Sequence, residues 1–258
     1  MKIHRAKKSL GQNFLKSEGV IKKIITAGEV TDKDMVLEIG PGKGAITKKL
    51  LASTGRVIAV EKDPELLEFL KIKFEKEIHE GRLTLVCEDI LNFHASTYSL
   101  GPRAYKVIAN IPYNITGAIL KKFLTEKHPP ALMVLLVQKE VAERIVARDK
   151  KESILSISVK SYGKPSIIDK VPARYFTPQP KIDSSIIKIT DISRDFFLKN
   201  DIDEEKFWEI VKKGFAHKRK RLGSNLKNVL GSEKIQKSGL GDKRAEDVTL
   251  AEWISLAR

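Results

Sequence analysis

From Met35 to Ile189, short β-branched runs alternate with stretches whose apolar residues recur at helical spacing. That pattern belongs to repeated βαβ units feeding a mostly parallel sheet. Seven strands are predicted, at Met35–Ile39, Arg56–Glu61, Leu83–Cys87, Lys106–Asn110, Ala131–Gln138, Ser166–Val171 and Ser184–Ile189. Helices are expected over Ala45–Ala52, Pro64–Lys76, Gly117–Leu124 and Lys139–Ala147, with Asp63 capping the second and Pro64 in its first turn. The run from Ala131 to Val137 has no polar interruption, which suits a strand buried on both faces; it is far too short to span a bilayer. The last two strands have no long helix between them, so a hairpin-like pair is expected, with Arg174–Pro180 as a stiff loop. After Ile189 the strand-like runs stop, and Asp203–Gly214, Leu222–Leu230 and Leu250–Ala257 read as short helices. The expected architecture is therefore a doubly wound α/β domain over residues 1–190 and a small all-α domain over 191–258.

A chain of 258 residues accommodates these two parts without disulfide support. Lysine and arginine number 48 against 33 acidic residues, a net charge of +15 that argues for a polyanionic partner, nucleic acid first; the same surface would also suit heat tolerance. The single cysteine, Cys87, lies in an apolar run and is expected to be a buried structural thiol. The basic stretch Met1–Lys8 is followed by no apolar core or small-residue cleavage site, so a cytoplasmic location without membrane contact is expected. The five histidines lack ligand spacing, and no metal site is expected.

Candidate chemistry starts at Glu38-Ile39-Gly40-Pro41-Gly42-Lys43-Gly44, between the first strand and the first helix. A glycine-rich turn there lets backbone approach a ligand at the carboxyl edge of the sheet. The spacing Gly40-x-Gly42-x-x-Ala45 also satisfies the dinucleotide fingerprint, so a nicotinamide-dependent dehydrogenase stays open at this point. Glu61 ends the second strand, where an acid accepts from ribose hydroxyls in either cofactor class. Asp89, flanked by Ile90, could accept from an adenine amino group in the same crevice.

The end of the fourth strand, Asn110-Ile111-Pro112-Tyr113, favours another chemistry. An amide oxygen and a backbone carbonyl at Ile111 or Pro112 can accept both hydrogens of an exocyclic amine, while Tyr113 offers a face for stacking. Such bonds make the amine nitrogen more tetrahedral and more nucleophilic, so this set points to methylation of a planar base. Ser184-Ser185 beside Asp183 has no nucleophile elbow around it and reads as a strand-entry turn.

Taken with Leu10-Gly11-Gln12-Asn13-Phe14-Leu15, Glu88-Asp89-Ile90, Gln138-Lys139-Glu140-Val141 and Phe176–Ser184, these motifs closely resemble the ribosomal RNA adenine dimethyltransferase family, nearly end to end. That family comprises the kasugamycin-sensitivity methyltransferases of bacteria and their eukaryotic relatives. The resemblance implies a Rossmann-like class I methyltransferase domain that uses S-adenosyl-L-methionine. Gln12, Asn13 and Leu15 would line the cofactor pocket, with Gly40 and Gly42 at the amino-acid end, Glu61 and Lys62 at the ribose, and Asp89 and Ile90 at the adenine. Asn110 would touch cofactor and target, with Ile111 and Pro112 beside it, and Phe176 would sandwich a flipped adenine opposite Tyr113. The implied reaction is dimethylation of N6 on two adjacent adenosines near the 3′ end of small-subunit (16S) rRNA, by a monomer acting on an assembling small subunit. Lys218, Arg219, Lys220 and Arg221 match the family's basic helix and would engage RNA phosphates. The segment Arg148–Ser156 departs from the family by being shorter. A non-catalytic ribosome-assembly factor on the same fold is the alternative.

Overall fold

The computed structural model describes Ala6, Lys7 and residues 10–258, so most of the basic stretch at residues 1–8 lies outside the described residues. Two compact units emerge, one from the chain up to Ala142 together with Lys164–Ile192, the other from Glu143–Gly163 and Ser193–Arg258.

The first unit begins with β1 (Phe14–Leu15) and α1 (Glu18–Ala27), then alternates β2 (Met35–Ile39), α2 (Ala45–Leu51), β3 (Arg56–Glu61), α3 (Pro64–Lys73), α4 (Glu75–His79) and β4 (Leu83–Cys87). It continues with β5 (Lys106–Asn110), α5 (Thr116–Thr125), β6 (Leu132–Gln138) and the start of α6 (Lys139–Val146). The chain re-enters it, after α7 (Ile154–Tyr162), through β7 (Lys164–Val171), β8 (Phe176–Thr177) and β9 (Ser184–Thr190). The seven strands expected from the sequence form one sheet, in the order β4-β3-β2-β5-β6-β9-β7. The first five are parallel, and β9 runs antiparallel to both β6 and β7. From β2 the chain winds outward to β3 and β4, then crosses back to β5 on the other side. That reversal is a topological switch point, the place where an open α/β sheet splits its loops apart and leaves a crevice.

The uninterrupted apolar run becomes β6, whose residues Leu132 to Val137 are all buried between β5 and β9. Asp63 caps α3 by accepting from the Glu65 N–H, with Pro64 in the first turn. The single helix expected over Pro64–Lys76 breaks at Phe74, whose backbone leaves helical geometry (φ −118°) and whose ring is buried at the glycine turn. A Cβ on Gly44 would come within 2.5 Å of that ring, so the break and the glycine accommodate each other. Cys87 is exposed rather than buried: β4 is the outermost strand of its side of the sheet, and only Leu83 and Val86 of that strand are buried. The loop between β7 and β9 carries β8, which pairs antiparallel with β1, a two-stranded ribbon absent from the expected set. α1 was likewise unanticipated, although Ser17 caps it and Val20, Ile21, Ile24 and Ala27 form its buried stripe.

The second unit contains α7, α8 (Asp195–Asn200), α9 (Glu204–Gly214), α10 (Leu222–Ser238) and α11 (Leu250–Ala257). It is larger than a boundary at 190 anticipates, because Glu143–Gly163 groups with the C-terminal helices. The reason lies at Tyr162, whose hydroxyl donates to Glu204 and accepts from Trp208 Nε1, and whose ring contacts Phe197. α10 runs past the expected Leu230, continuing beyond a break at Gly231 (φ 75°). Asp203 caps α9, and Thr249 with Glu252 forms a reciprocal capping box on α11. Trp253 is fully buried where α9 presents Gly214, a position at which a Cβ would lie 2.3 Å from the indole. Gly214→Ala therefore overpacks a rigid ring and should destabilise this unit by about 1–3 kcal/mol. The two tryptophans of the chain, Trp208 and Trp253, both belong to this unit, so urea unfolding followed by tryptophan fluorescence reads the effect. An unchanged midpoint would contradict the packing described.

Candidate active site

The crevice lies within the first unit, at the carboxyl ends of β2, β3 and β5, and its walls run from Leu10–Leu15 through the glycine turn to Asn110–Ile115. The turn after β2 is built by Gly40, Gly42 and Gly44, with φ of +64°, +57° and +73°, a region that side-chain-bearing residues rarely enter. This left-handed path sends Gly44 into α2 without a side-chain cap and turns the Gly42 N–H toward Glu61.

Glu61 is 6% exposed, and its two oxygens accept from the Gly42 N–H at 3.2 Å and the Asp63 N–H at 2.9 Å. Burial pushes its carboxyl above the ordinary value, with these two N–H groups partly offsetting the effect. Asp63, next along, has a fully buried side chain that accepts from Lys7 Nζ (2.8 Å), Gln12 Nε2 (2.9 Å) and the Glu65 N–H (3.1 Å). Burial works to raise its carboxyl, but Lys7, Gln12 and the helix N–H outweigh that and hold it below the usual value. The N-terminal segment is thus pinned across the crevice wall by Asp63, while Gln12 also accepts from the Lys7 N–H. Asp89 pairs with Lys62 at 2.8 Å and accepts from the Leu91 N–H; first Lys62, then that N–H, keeps its carboxyl low.

At the end of β5, Asn110 Nδ2 donates to the backbone oxygen of Asn13 at 2.9 Å. Since that oxygen can only accept, the amide's orientation is fixed, and its Oδ1 is the end left to receive hydrogens from a ligand. Pro112 (φ −59°) starts a tight turn over Tyr113–Ile115, closed by the Ile115 N–H on the Pro112 carbonyl and by Thr116 Oγ1 on the Tyr113 carbonyl. Tyr113 is half-buried and its hydroxyl lies 2.7 Å from Ser184 Oγ.

The crevice brings together Gln12, Asn13, Leu15, Gly40, Gly42, Glu61, Lys62, Asp89, Ile90, Asn110, Ile111, Pro112 and Tyr113. Phe176 is not among its lining residues: its ring is 1% exposed and belongs to the hydrophobic core, because its place in β8 opposite Leu15 directs it inward. Lys218, Arg219, Lys220 and Arg221 lie in the other unit, on the turn between α9 and α10 rather than on a helix, all exposed, with Arg221 paired to Asp242. Phe14, with Lys43 Nζ 5.0 Å above its ring, and Glu38 also line the crevice, and the sequence reading singled out neither as a site residue. Among the described residues, no group of three His, Cys, Asp or Glu could hold a metal ion.

Glu38 is 1% exposed, set against Thr47, and its Oε2 is buried without a hydrogen-bond partner. Desolvation, reinforced by the Glu61 charge and opposed by Thr47, pushes its carboxyl up to about 8. Its place as the acid opening the glycine motif was the available signal. Because the folded-state value lies above the ordinary 4.5, the native protein holds a proton there that the unfolded chain releases. Stability should therefore fall as pH rises through the window from 4.5 to about 8. Glu38→Gln should flatten that loss by at least about 1.4 kcal/mol, the equivalent of one pKa unit. Urea unfolding across the window checks this, and an unaltered pH slope would mean Glu38 ionises normally.

The family model described as "Ribosomal RNA adenine dimethylase" matches residues 3–258. The chain is 38% identical to "Ribosomal RNA small subunit methyltransferase A" of Dehalococcoides mccartyi (strain CBDB1), over 98% of this chain and 87% of that protein. It is also 38% identical to the protein of the same name from Francisella tularensis subsp. novicida (strain U112), over 98% and 97% of the two chains. Among solved structures, a dimethyladenosine transferase from Plasmodium falciparum superposes with TM-score 0.79 at 26% identity, covering 94% of this chain and 95% of that one. The 23S rRNA methyltransferase ErmE gives TM-score 0.76 at 23% identity, over 95% and 98% of the chains, and shares the fold. The glycine turn that also fits a dinucleotide enzyme is accordingly that of a class I methyltransferase, and the chain belongs to the ribosomal RNA adenine dimethylase family.

Proposed function

We propose that the protein uses S-adenosyl-L-methionine to dimethylate N6 of two adjacent adenosines near the 3′ end of small-subunit rRNA, acting as a cytoplasmic monomer on assembling small subunits. The observation that carries this reading is Asn110, an amide with its nitrogen committed to Asn13 and its oxygen left to accept, in the wall of the crevice. In a chain of net charge +15, the crevice gathers Glu38, Glu61 and Asp89. Glu61 and Asp89 place acceptors for the ribose hydroxyls and the adenine amino group of such a cofactor in one crevice. The unpartnered Glu38 Oε2 and the glycine turn support the same fit.

Gly40 and Gly42 would hold the amino-acid end, Glu61 with Lys62 the ribose, and Asp89 with Ile90 the adenine, with Asn13 and Leu15 closing the wall. Gln12 serves that wall through its bond to Asp63. When bound, the cofactor supplies a methyl group made electrophilic by a sulfonium. Asn110 Oδ1 and a carbonyl at Ile111 or Pro112 accept the two hydrogens of the target amine and draw its nitrogen toward tetrahedral geometry. Alignment supplies most of the acceleration, and the nitrogen becomes acidic once methylated, so no strong general base is needed. Tyr113 gives the flipped base one aromatic face; Phe176, in the core, does not give it a second in this conformation. No described helix is long and apolar enough to cross a membrane.

The decisive experiment is transfer of labelled methyl to small subunits lacking the dimethyladenosine mark. The wild type should modify two adjacent adenosines, and Asn110→Ala should lower the rate by about 10²-fold or more, the scale seen when one preorganised polar contact is removed from a reacting group. Tight subunit binding by the wild type without transfer would instead favour the assembly-factor reading.

Lys218, Arg219 and Lys220 are exposed and ion-paired to no carboxylate among the described residues, which supports a role on RNA phosphates. Replacing all three with glutamine should weaken subunit binding and reduce the slope of log K against log salt by about 2–3, at roughly 0.7–0.9 per phosphate contact. Unchanged binding and slope would remove this cluster from the interface.

A further inference from the structure

We propose that Ser184 is a positioning residue for methyl transfer, tethering the ring of Tyr113 to the sheet so that the target base meets a fixed face. This rests on the reading of Tyr113 as the stacking platform. Ser184 opens β9, where it is held between Gln138 of β6 and Val171 of β7, and it is 0% exposed. Its Oγ lies 2.7 Å from the Tyr113 hydroxyl. Tyr113 itself stands on a three-residue turn outside the sheet, whose other ties run through backbone carbonyls of Pro112 and Tyr113 and leave the ring orientation unspecified. One hydroxyl pair therefore connects a buried position in the sheet, paired on both sides, to a side chain that lines the crevice.

A second buried serine makes the arrangement interpretable. Ser185 is 1% exposed, and its Oγ has no partner. Burying a hydroxyl is costly unless it is hydrogen-bonded, so the two neighbours differ in what they return for that cost. Only Ser184 reaches the site. Burial, partly offset by Ser184, also raises the Tyr113 phenol above its ordinary value, so the hydroxyl stays protonated and serves as an anchor rather than as a base.

The test compares initial rates of methyl transfer to unmarked small subunits for Ser184→Ala, Tyr113→Phe, the double variant, Ser185→Ala and Tyr113→Ala. Ser184→Ala and Tyr113→Phe should each lower kcat about three- to tenfold, the weight of one ordinary hydrogen bond, with binding of S-adenosyl-L-methionine unchanged. The double variant should be no slower than either single one, since both remove the same bond, and Ser185→Ala should match the wild type. Additive losses, or Ser184→Ala and Ser185→Ala losing activity and cofactor affinity alike, would reduce Ser184 to a packing residue. Full activity in both Ser184→Ala and Tyr113→Phe, with Tyr113→Ala impaired, would overturn the tether and leave the platform standing. Full activity in Tyr113→Ala would overturn the platform itself. Tyr113→Phe keeps the question open to measurement should Ser184→Ala fold poorly.

Discussion

Two carboxylates one residue apart, Glu61 and Asp63, hold the crevice together. Glu61 fixes the glycine turn through the Gly42 N–H, and the Asp63 N–H holds Glu61 in turn. The Asp63 side chain then caps α3 and gathers Lys7 and Gln12 from the N-terminal segment. Two stretches of chain remote in sequence, the glycine turn and the N-terminal segment, are thereby fixed to the junction of β3 and α3. Both acids are buried, so either one without its donors would be an uncompensated polar group, and the segments cannot separate cheaply. The geometry that a methyl transfer needs is set before any ligand arrives.

Charge is divided in the same way. The surface is strongly basic, as befits a polyanionic partner, yet the crevice is lined by Glu61 and Asp89, beside a Glu38 that burial keeps protonated up to about pH 8. Lys62 lines it too, but is already spent on Asp89, and Lys43 sits over the Phe14 ring. Exposed charges act over roughly a Debye length, about 10 Å at 0.1 M salt, whereas buried ones are screened much less. RNA capture should respond to ionic strength far more than cofactor binding does.

The parts of this structure legible in the sequence are those where one force dominates. The inner strands of the main sheet announce themselves because burial on both faces demands unbroken apolar runs, the edge strands β4 and β7 by apolar residues between turn signals, and the crevice motifs because glycines, an acid and an amide recur at strand ends. Where tertiary packing decides, the sequence is mute. α7 carries Ser156, Ser158 and Ser161 and several β-branched residues, poor helix formers that packing and a Ser153 cap nonetheless hold helical. β1 and β8 are two residues each, too short for any periodicity. Cys87 and Phe176 show the same limit from opposite sides: an apolar neighbourhood in sequence does not bury a residue on an edge strand, and an aromatic inside a site motif can still turn into the core.

Asn110 shows how function is concentrated rather than distributed. Its nitrogen is bound to the N-terminal wall at Asn13, and its oxygen is the end left to accept from a ligand in the crevice. In the proposed reaction, the contact to the N-terminal wall and the acceptor for the target amine are therefore the two ends of one rigid, planar amide. A shift of the wall rotates the acceptor, and an amine held by the acceptor resists a shift of the wall. Aspartate would put an oxygen against the Asn13 carbonyl, and a shorter side chain would release both ends together. The same logic runs through Tyr113, where one ring is held by the sheet at its hydroxyl and offered to the crevice along its face. A site assembled from side chains with two committed ends needs few of them, which is why the proposed reaction can rest on four consecutive residues at the end of β5.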